Sequence, residues 1–89
     1  MKVTRIVRRV AVTYSHEFNA LKVEAEAEAF LEEGEDRRAA SRQLALEALA
    51  DIDTTIADRT STNAWAWHVV TGGDRRVTVH PPVVVEQPA

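Results

Sequence analysis

The fold is decided by one stretch, Leu21-Lys22-Val23-Glu24-Ala25-Glu26-Ala27-Glu28-Ala29, in which apolar and charged residues alternate without error. Alanine and glutamate favour helices, but on a helical wheel these glutamates point in all directions, so no apolar face forms. Strict alternation is typical of a strand with one buried face. The period therefore outweighs the propensity, and the sequence predicts a strand over residues 20–32.

The residues before this stretch predict its partner strand, over residues 3–14. The polar segment 15–19 is short enough to join the two strands as a hairpin. If the apolar faces of both strands point to the same side, two registers remain, and they place Arg9 opposite Glu24 or Glu26. The outer face of the hairpin is therefore expected to neutralise its own charges.

A helix is predicted over residues 36–58. Gly34 ends the second strand, and Asp36 is a candidate N-cap. The following residues contain no glycine or proline, and their apolar positions fall on one stripe at helical spacing. This stripe consists of Ala45, Ala48, Leu49, Ile52 and Ile56, extended by Ser41.

The remaining sequence predicts a second hairpin over residues 64–80, because Trp65 and Trp67 alternate with smaller residues before the turn signal Thr71-Gly72-Gly73-Asp74. Residues 81–89 read as a tail rich in proline and valine, without an assignable pairing partner. The predicted fold class is α+β. Residues 1–80 form a single two-layer ββαββ domain, in which antiparallel hairpins make one sheet and one long helix packs on one face.

Composition restricts the class of protein. The chain has 89 residues, a net charge of −3 and no cysteine, which excludes disulfides, thiolate metal sites and a cysteine nucleophile. The charge also opposes general binding to duplex DNA. There is no apolar run of about 18 residues, and residues 1–5 lack the apolar segment of a signal peptide. We therefore expect a cytoplasmic protein, or one in the host cytoplasm if phage-encoded, with no membrane partner.

No motif for catalysis, metal binding or cofactor binding is present. The histidines His16, His68 and His80 lack metal-ligand spacing, although the last two would face each other across the second hairpin. The glycine pair at 72–73 lacks the lysine and the helix of a phosphate-binding loop, and no nucleophile elbow occurs. The sequence predicts a protein that is not an enzyme and holds no metal or cofactor.

Trp65 and Trp67 have two interpretations. Packed beneath the helix, they would close the core. Exposed on one strand face, they would form a stacking platform for unpaired bases or an aromatic anchor for a protein partner. Arg75 and Arg76 follow at the next turn, within reach of phosphates. Both interpretations remain open at the level of sequence.

Arg5, Arg8 and Arg9 make the first strand basic and are candidate phosphate contacts. Arg8 is the exception in the strand pattern, because its parity places it on the apolar face. Three placements satisfy its charge. The side chain extends to water at the helix edge, reaches an acidic helix residue such as Asp51, or is turned outward by a bulge.

Two segments carry a resemblance to known proteins, Lys2-Val3-Thr4-Arg5 and Leu31-Glu32-Glu33-Gly34-Glu35-Asp36, on either side of the alternating strand. Together they resemble a group of short, functionally uncharacterised proteins of phage and prophage genomes, over about two thirds of the chain. The turn at 15–19 departs from that group because it contains no glycine. The resemblance implies a phage or mobile-element setting and brings no catalytic motif.

The sequence thus predicts a non-catalytic interaction module, an accessory protein of phage or mobile-element type that binds a protein partner. The alternative is a single-stranded nucleic-acid-binding protein that uses the two tryptophans and the arginines named above. One helix covers about two strands, so a four-stranded sheet would leave apolar surface near Trp65, Trp67 and residues 83–85. We therefore also expect a homodimer.

Overall fold

The chain forms an antiparallel four-stranded sheet and two helices, which confirms the predicted α+β class. The computed structural model describes residues 2–88 and measures 51 × 21 × 17 Å along its principal axes. The elements are β1 (Lys2–His16), β2 (Asn19–Leu31), α1 (Arg37–Thr62), α2 (Ala64–Gly72), β3 (Asp74–Val79) and β4 (Val83–Pro88).

β1 and β2 form the predicted hairpin, joined by the two residues Glu17 and Phe18. In the observed register Arg9 lies opposite Glu26, which is one of the two predicted registers. The strand prediction for residues 20–32 is confirmed, because alternation lets β2 bury its apolar side against the helices while its charges face water. Glu17 adopts the left-handed conformation, with φ of 56°, and Phe18 is fully exposed at the tip of the hairpin.

The second edge of β1 is occupied by two short strands placed one after the other. β3 pairs with residues 10–15 of β1, and β4 pairs with residues 2–7. Pro81 and Pro82 lie at the break between them, since proline has no N–H to give to a sheet. The His80 backbone N–H donates to the Arg9 carbonyl at 2.9 Å and closes the gap. Residues 83–88, predicted as part of a tail, are therefore a strand.

α1 begins at Arg37, one residue after the predicted start at residue 36. The Asp36 carboxylate accepts hydrogen bonds from the N–H groups of Arg38 and Ala39 at 3.0 and 3.1 Å, so Asp36 is the N-cap. The helix ends at Thr62 rather than near residue 58. Its buried stripe meets the apolar face of the hairpin at i, i+4 spacing and consists of Leu44, Ala48, Ile52 and Ile56.

The predicted strand at the start of the second hairpin is wrong, because residues 64–72 form α2. The Asn63 side chain caps this helix by accepting from the Ala66 N–H at 3.1 Å. Ala66 and Val69 are buried and Val70 is partly buried, a spacing of three and four residues that turns one helix face to the core. This segment is a helix because Ala66, Val69 and Val70 pack against the core, whereas the tryptophans are exposed. Among residues 2–88, neither helix is long and apolar enough to cross a membrane.

The connection from α2 to β3 requires a residue without a side chain at Gly73. A Cβ there would lie 1.9 Å from the carbonyl oxygen of Ser15, whereas a Cβ at Gly34 would meet nothing within 4 Å. We expect Gly73→Ala to lower the free energy of unfolding by about 3 kcal/mol. Gly34→Ala should cost about 1 kcal/mol, because its φ of 90° is in the left-handed region.

Thermal unfolding of the two variants measures this difference, since 1 kcal/mol shifts Tm by about 4–8 °C in a domain of this size. Equal losses of Tm for Gly73→Ala and Gly34→Ala would contradict the close approach between Gly73 and Ser15.

Candidate interaction surfaces

The helices cover β1 and β2 but leave β3 and β4 exposed. β3 and β4 together are here called the valine strand. They carry five valines, each of which exposes between 39% and 56% of its surface. They are Val77, Val79, Val83, Val84 and Val85. The strand register divides them between the two faces of the sheet. Those at 77, 79 and 84 lie opposite buried residues of β1 and so face the helix side, and those at 83 and 85 face the open side.

Trp65 and Trp67 do not form the single face expected of a strand. They lie two positions apart on α2, which places them about 200° apart around the helix axis. Trp65 is 46% exposed and Trp67 is 56% exposed, and the Trp65 indole N–H donates to the Asn19 side-chain oxygen at 3.4 Å. Both side chains are thus surface residues on opposite flanks of a helix, so they do not close the core and do not share one strand face, and a role of either in binding stays a prediction.

The structure also separates the predicted arginines. Arg5 is paired with Glu28, its Nε donating to Oε2 at 2.7 Å, and it lies on the open face of the sheet. Arg9 lies an even number of residues from Arg5 on β1, and Arg76 lies opposite Thr13, which has the same parity. Arg9 and Arg76 therefore share that face. Arg75 lies on the helix side, where its guanidinium is 3.6 Å from an Asp53 carboxylate oxygen of α1. Arg5 and Arg9 nevertheless line one groove with Glu26 and His80, and Arg75 and Arg76 line another with Asp74, so these four arginines fall into two groups rather than one site.

The open face of the sheet carries two ion pairs among the residues that the structure describes, although Arg9 and the facing Glu26 are not one of them. Besides the Arg5–Glu28 pair, the Lys22 ammonium lies 2.9 Å from a Glu24 carboxylate oxygen. The hydrogen bond and charge of Lys22 lower the pKa of Glu24, with smaller contributions from Arg9 and His80. Two of the three exposed glutamates of β2, Glu24 and Glu28, are thus ion-paired.

Arg8 stays on the helix side, as its parity requires, and its position creates a groove between α1 and β4. Its Nη1 donates to the Ser41 hydroxyl at 2.6 Å rather than reaching Asp51. This arginine groove has a volume of about 450 Å³. Its floor and walls are formed by Ile6, Arg8, Arg37, Arg38, Ser41, Arg42, Ala45, Pro82 and Val84.

The arginines of this groove differ in their partners. Arg37 donates to the Thr4 hydroxyl at 3.2 Å and to the Glu86 carboxylate. Within residues 2–88, no ion pair joins Arg8, Arg38 or Arg42 to a carboxylate. Of these three arginines, only Arg8 was predicted from the sequence as a candidate phosphate contact. A sequence pattern could have predicted Arg38 and Arg42, because their i, i+4 spacing places two cations on one face of the first helical turns.

Two of the three histidines lie in contact with each other. The rings of His16 and His68 meet edge to face with centroids 4.9 Å apart, instead of the predicted facing of His68 and His80. A Glu17 carboxylate oxygen lies 3.8 Å from His16 Nε2. Over residues 2–88, no group of three or more histidine and acidic side chains could hold a metal ion.

Comparisons of the chain with protein-family models, with curated proteins and with solved structures found no match. The resemblance to phage proteins therefore stays a prediction from the sequence.

The placement of the tryptophans is testable by mutation. We expect Trp67→Ala to lower the free energy of unfolding by less than about 2 kcal/mol, because more than half of the residue is already in water and alanine is the better helix former. Val69→Ala on the same helix should cost about 2 kcal/mol, since Val69 is fully buried. Urea unfolding measures both values. A larger loss for Trp67→Ala than for Val69→Ala would show that the indole belongs to the core.

Proposed function

We propose that this chain is a non-catalytic interaction module that binds a protein partner through the valine strand. The observation that carries the proposal is the uncovered half of the sheet, where every residue of β3 and residues 83–87 of β4 are exposed. Monomeric proteins rarely leave a contiguous row of large apolar side chains in water. The phage or mobile-element setting and the cytoplasmic location rest on the sequence alone and belong to the same proposal.

The geometry favours docking on the face of the valine strand over strand addition at its edge. Pro81 and Pro82 interrupt the edge, which removes backbone donors that an added strand would need. On the helix side, Val77, Val79 and Val84 form a row beside α1 that no element of residues 2–88 covers. A partner that presents an apolar stripe would complete the helical layer of the domain there.

A second copy of the chain is the first partner to test, because the same row on two molecules can pack around a two-fold axis. The valines at 77, 79 and 84 carry no charge that would oppose this contact. Arg75 pairs with Asp53 at the end of the row, which reduces the repulsion between two copies.

The alternative, single-stranded nucleic acid on the tryptophans, has less support. Trp65 and Trp67 lie on opposite flanks of α2, and Arg5 and Arg75 are each engaged by a carboxylate. Stacking of successive bases requires aromatic side chains along one path.

The test compares two exposed positions of β3. Val79→Asp places a charge on the helix side, while Thr78→Asp places the same charge on the open side of the same strand. We expect the wild-type chain and Thr78→Asp to sediment as dimers at high micromolar concentration and Val79→Asp to weaken the dimer at least about tenfold, because burial of an unpaired charge is unfavourable. Equal effects of the two substitutions would contradict docking on the helix-side row.

A monomeric wild-type chain would exclude the second copy, and a photo-crosslinking residue at position 79 then tests a different protein. The control carries the same residue at Asp58, an exposed position of α1. The proposal requires a discrete adduct from position 79 alone, and loss of binding between that purified partner and Val79→Asp. No adduct, or the same adducts from both positions, would overturn it.

A further inference from the structure

The arginine groove has a positive charge that the chain itself does not neutralise. The protein carries 14 acidic residues against 11 lysines and arginines. Yet within residues 2–88, Arg8, Arg38 and Arg42 line one groove without a carboxylate partner. Like charges held this close repel one another, and a bound anion would remove that repulsion. The groove is distinct from the valine strand proposed as the protein-docking surface, apart from Val84 at its border.

A second observation points to a missing acceptor. The Nε–H of Arg8 is buried and has no hydrogen-bond partner within residues 2–88, although Nη1 of the same guanidinium is held by Ser41. An unpaired buried donor is unfavourable because it has lost its hydrogen bonds to water. Ser41 holds Nη1, so the guanidinium is fixed at the groove wall with one donor still unsatisfied.

The residues that line the groove indicate which class of ligand it can bind. A groove lined by several arginines suits a phosphate, which offers more acceptor oxygens than a carboxylate and takes paired hydrogen bonds from arginine. Ile6, Ala45, Pro82 and Val84 supply an apolar floor for an organic group attached to that phosphate. The volume of about 450 Å³ lies within the range of small-molecule pockets.

The site is built from side chains, not from a helix end. Asp36 already accepts from the N–H groups of Arg38 and Ala39, so the first turn of α1 does not offer them to a ligand. Arg37 is likewise engaged by Thr4 and Glu86. The anion must therefore be held by Arg8, Arg38 and Arg42, with the positive end of the helix dipole as a smaller contribution.

We propose that the arginine groove binds a nucleotide, with its phosphate on Arg8, Arg38 and Arg42 and its sugar or base against the apolar floor. The phosphate belongs either to a free nucleotide or to a nucleotide within a single strand, and both offer the same chemistry to the groove. This site uses neither tryptophan, so it differs from the stacking platform that the sequence suggested.

The experiment measures fluorescence anisotropy of labelled oligo(dT) at low salt with two matched variants. Arg42→Ala removes a groove arginine, and Arg59→Ala removes the same charge from the other end of the same helix. Both residues are exposed, so the fold should be retained, and circular dichroism confirms it. We expect Arg42→Ala to weaken binding at least about tenfold and Arg59→Ala less than about twofold. The slope of log affinity against log salt should fall by about 0.7 for Arg42→Ala alone.

Two further arms identify the source of the phosphate. Titration with dTMP, followed by methyl NMR of Ile6, Ala45 and Val84, supports a free nucleotide if these signals shift. Displacement of the labelled strand by unlabelled oligo(dT) but not by dTMP supports a strand. Three outcomes would overturn the proposal: no binding of either ligand, equal losses for Arg42→Ala and Arg59→Ala, or displacement of the labelled strand by poly-glutamate as readily as by oligo(dT).

Discussion

β1 is hydrogen bonded along both of its edges, and every other element takes its position from this strand. β2 occupies one edge through a two-residue turn, while β3 and β4 share the other. The apolar side chains on one face of β1 must then be covered by other elements. α1, about 39 Å long, and the short α2 provide this cover over a strand of about 50 Å. The elongated shape of the molecule follows from the length of β1.

Both candidate surfaces are consequences of that central strand. The helical layer is narrow and lies over β1 and β2, so the helix-side valines of the two strands on the other edge, Val77, Val79 and Val84, stay in water. The same layer passes directly above Arg8, whose parity leaves it no route to the open face. Ser41 on α1 satisfies part of its guanidinium, and the space around it becomes the arginine groove. One packing arrangement thus accounts for an apolar surface and a cationic one.

The spacing of apolar residues was sufficient to predict those helices and strands in which the spacing is repeated many times. β2 alternates over nine residues and α1 carries a long apolar stripe, so the α+β class could be predicted and the hairpin register could be limited to two. α2 could not, because the alternation of Trp65 and Trp67 imitates a strand while Ala66 and Val69 are the residues that pack. β4 and the arginine groove join residues far apart in sequence, and neither a pattern nor a spacing within one segment reveals such contacts.

The pairing of β4 with the first half of β1 has a consequence for the nascent chain. The hairpin of β1 and β2 is local in sequence and can form early, but residues 2–7 wait for residues 83–88 before their second edge is closed. During synthesis that edge presents unsatisfied backbone groups of Arg5 and Val7, the kind of template on which neighbouring nascent chains aggregate. The arginines interspersed along β1 act as gatekeepers during this interval, because their mutual repulsion opposes the stacking of identical strands from adjacent ribosomes.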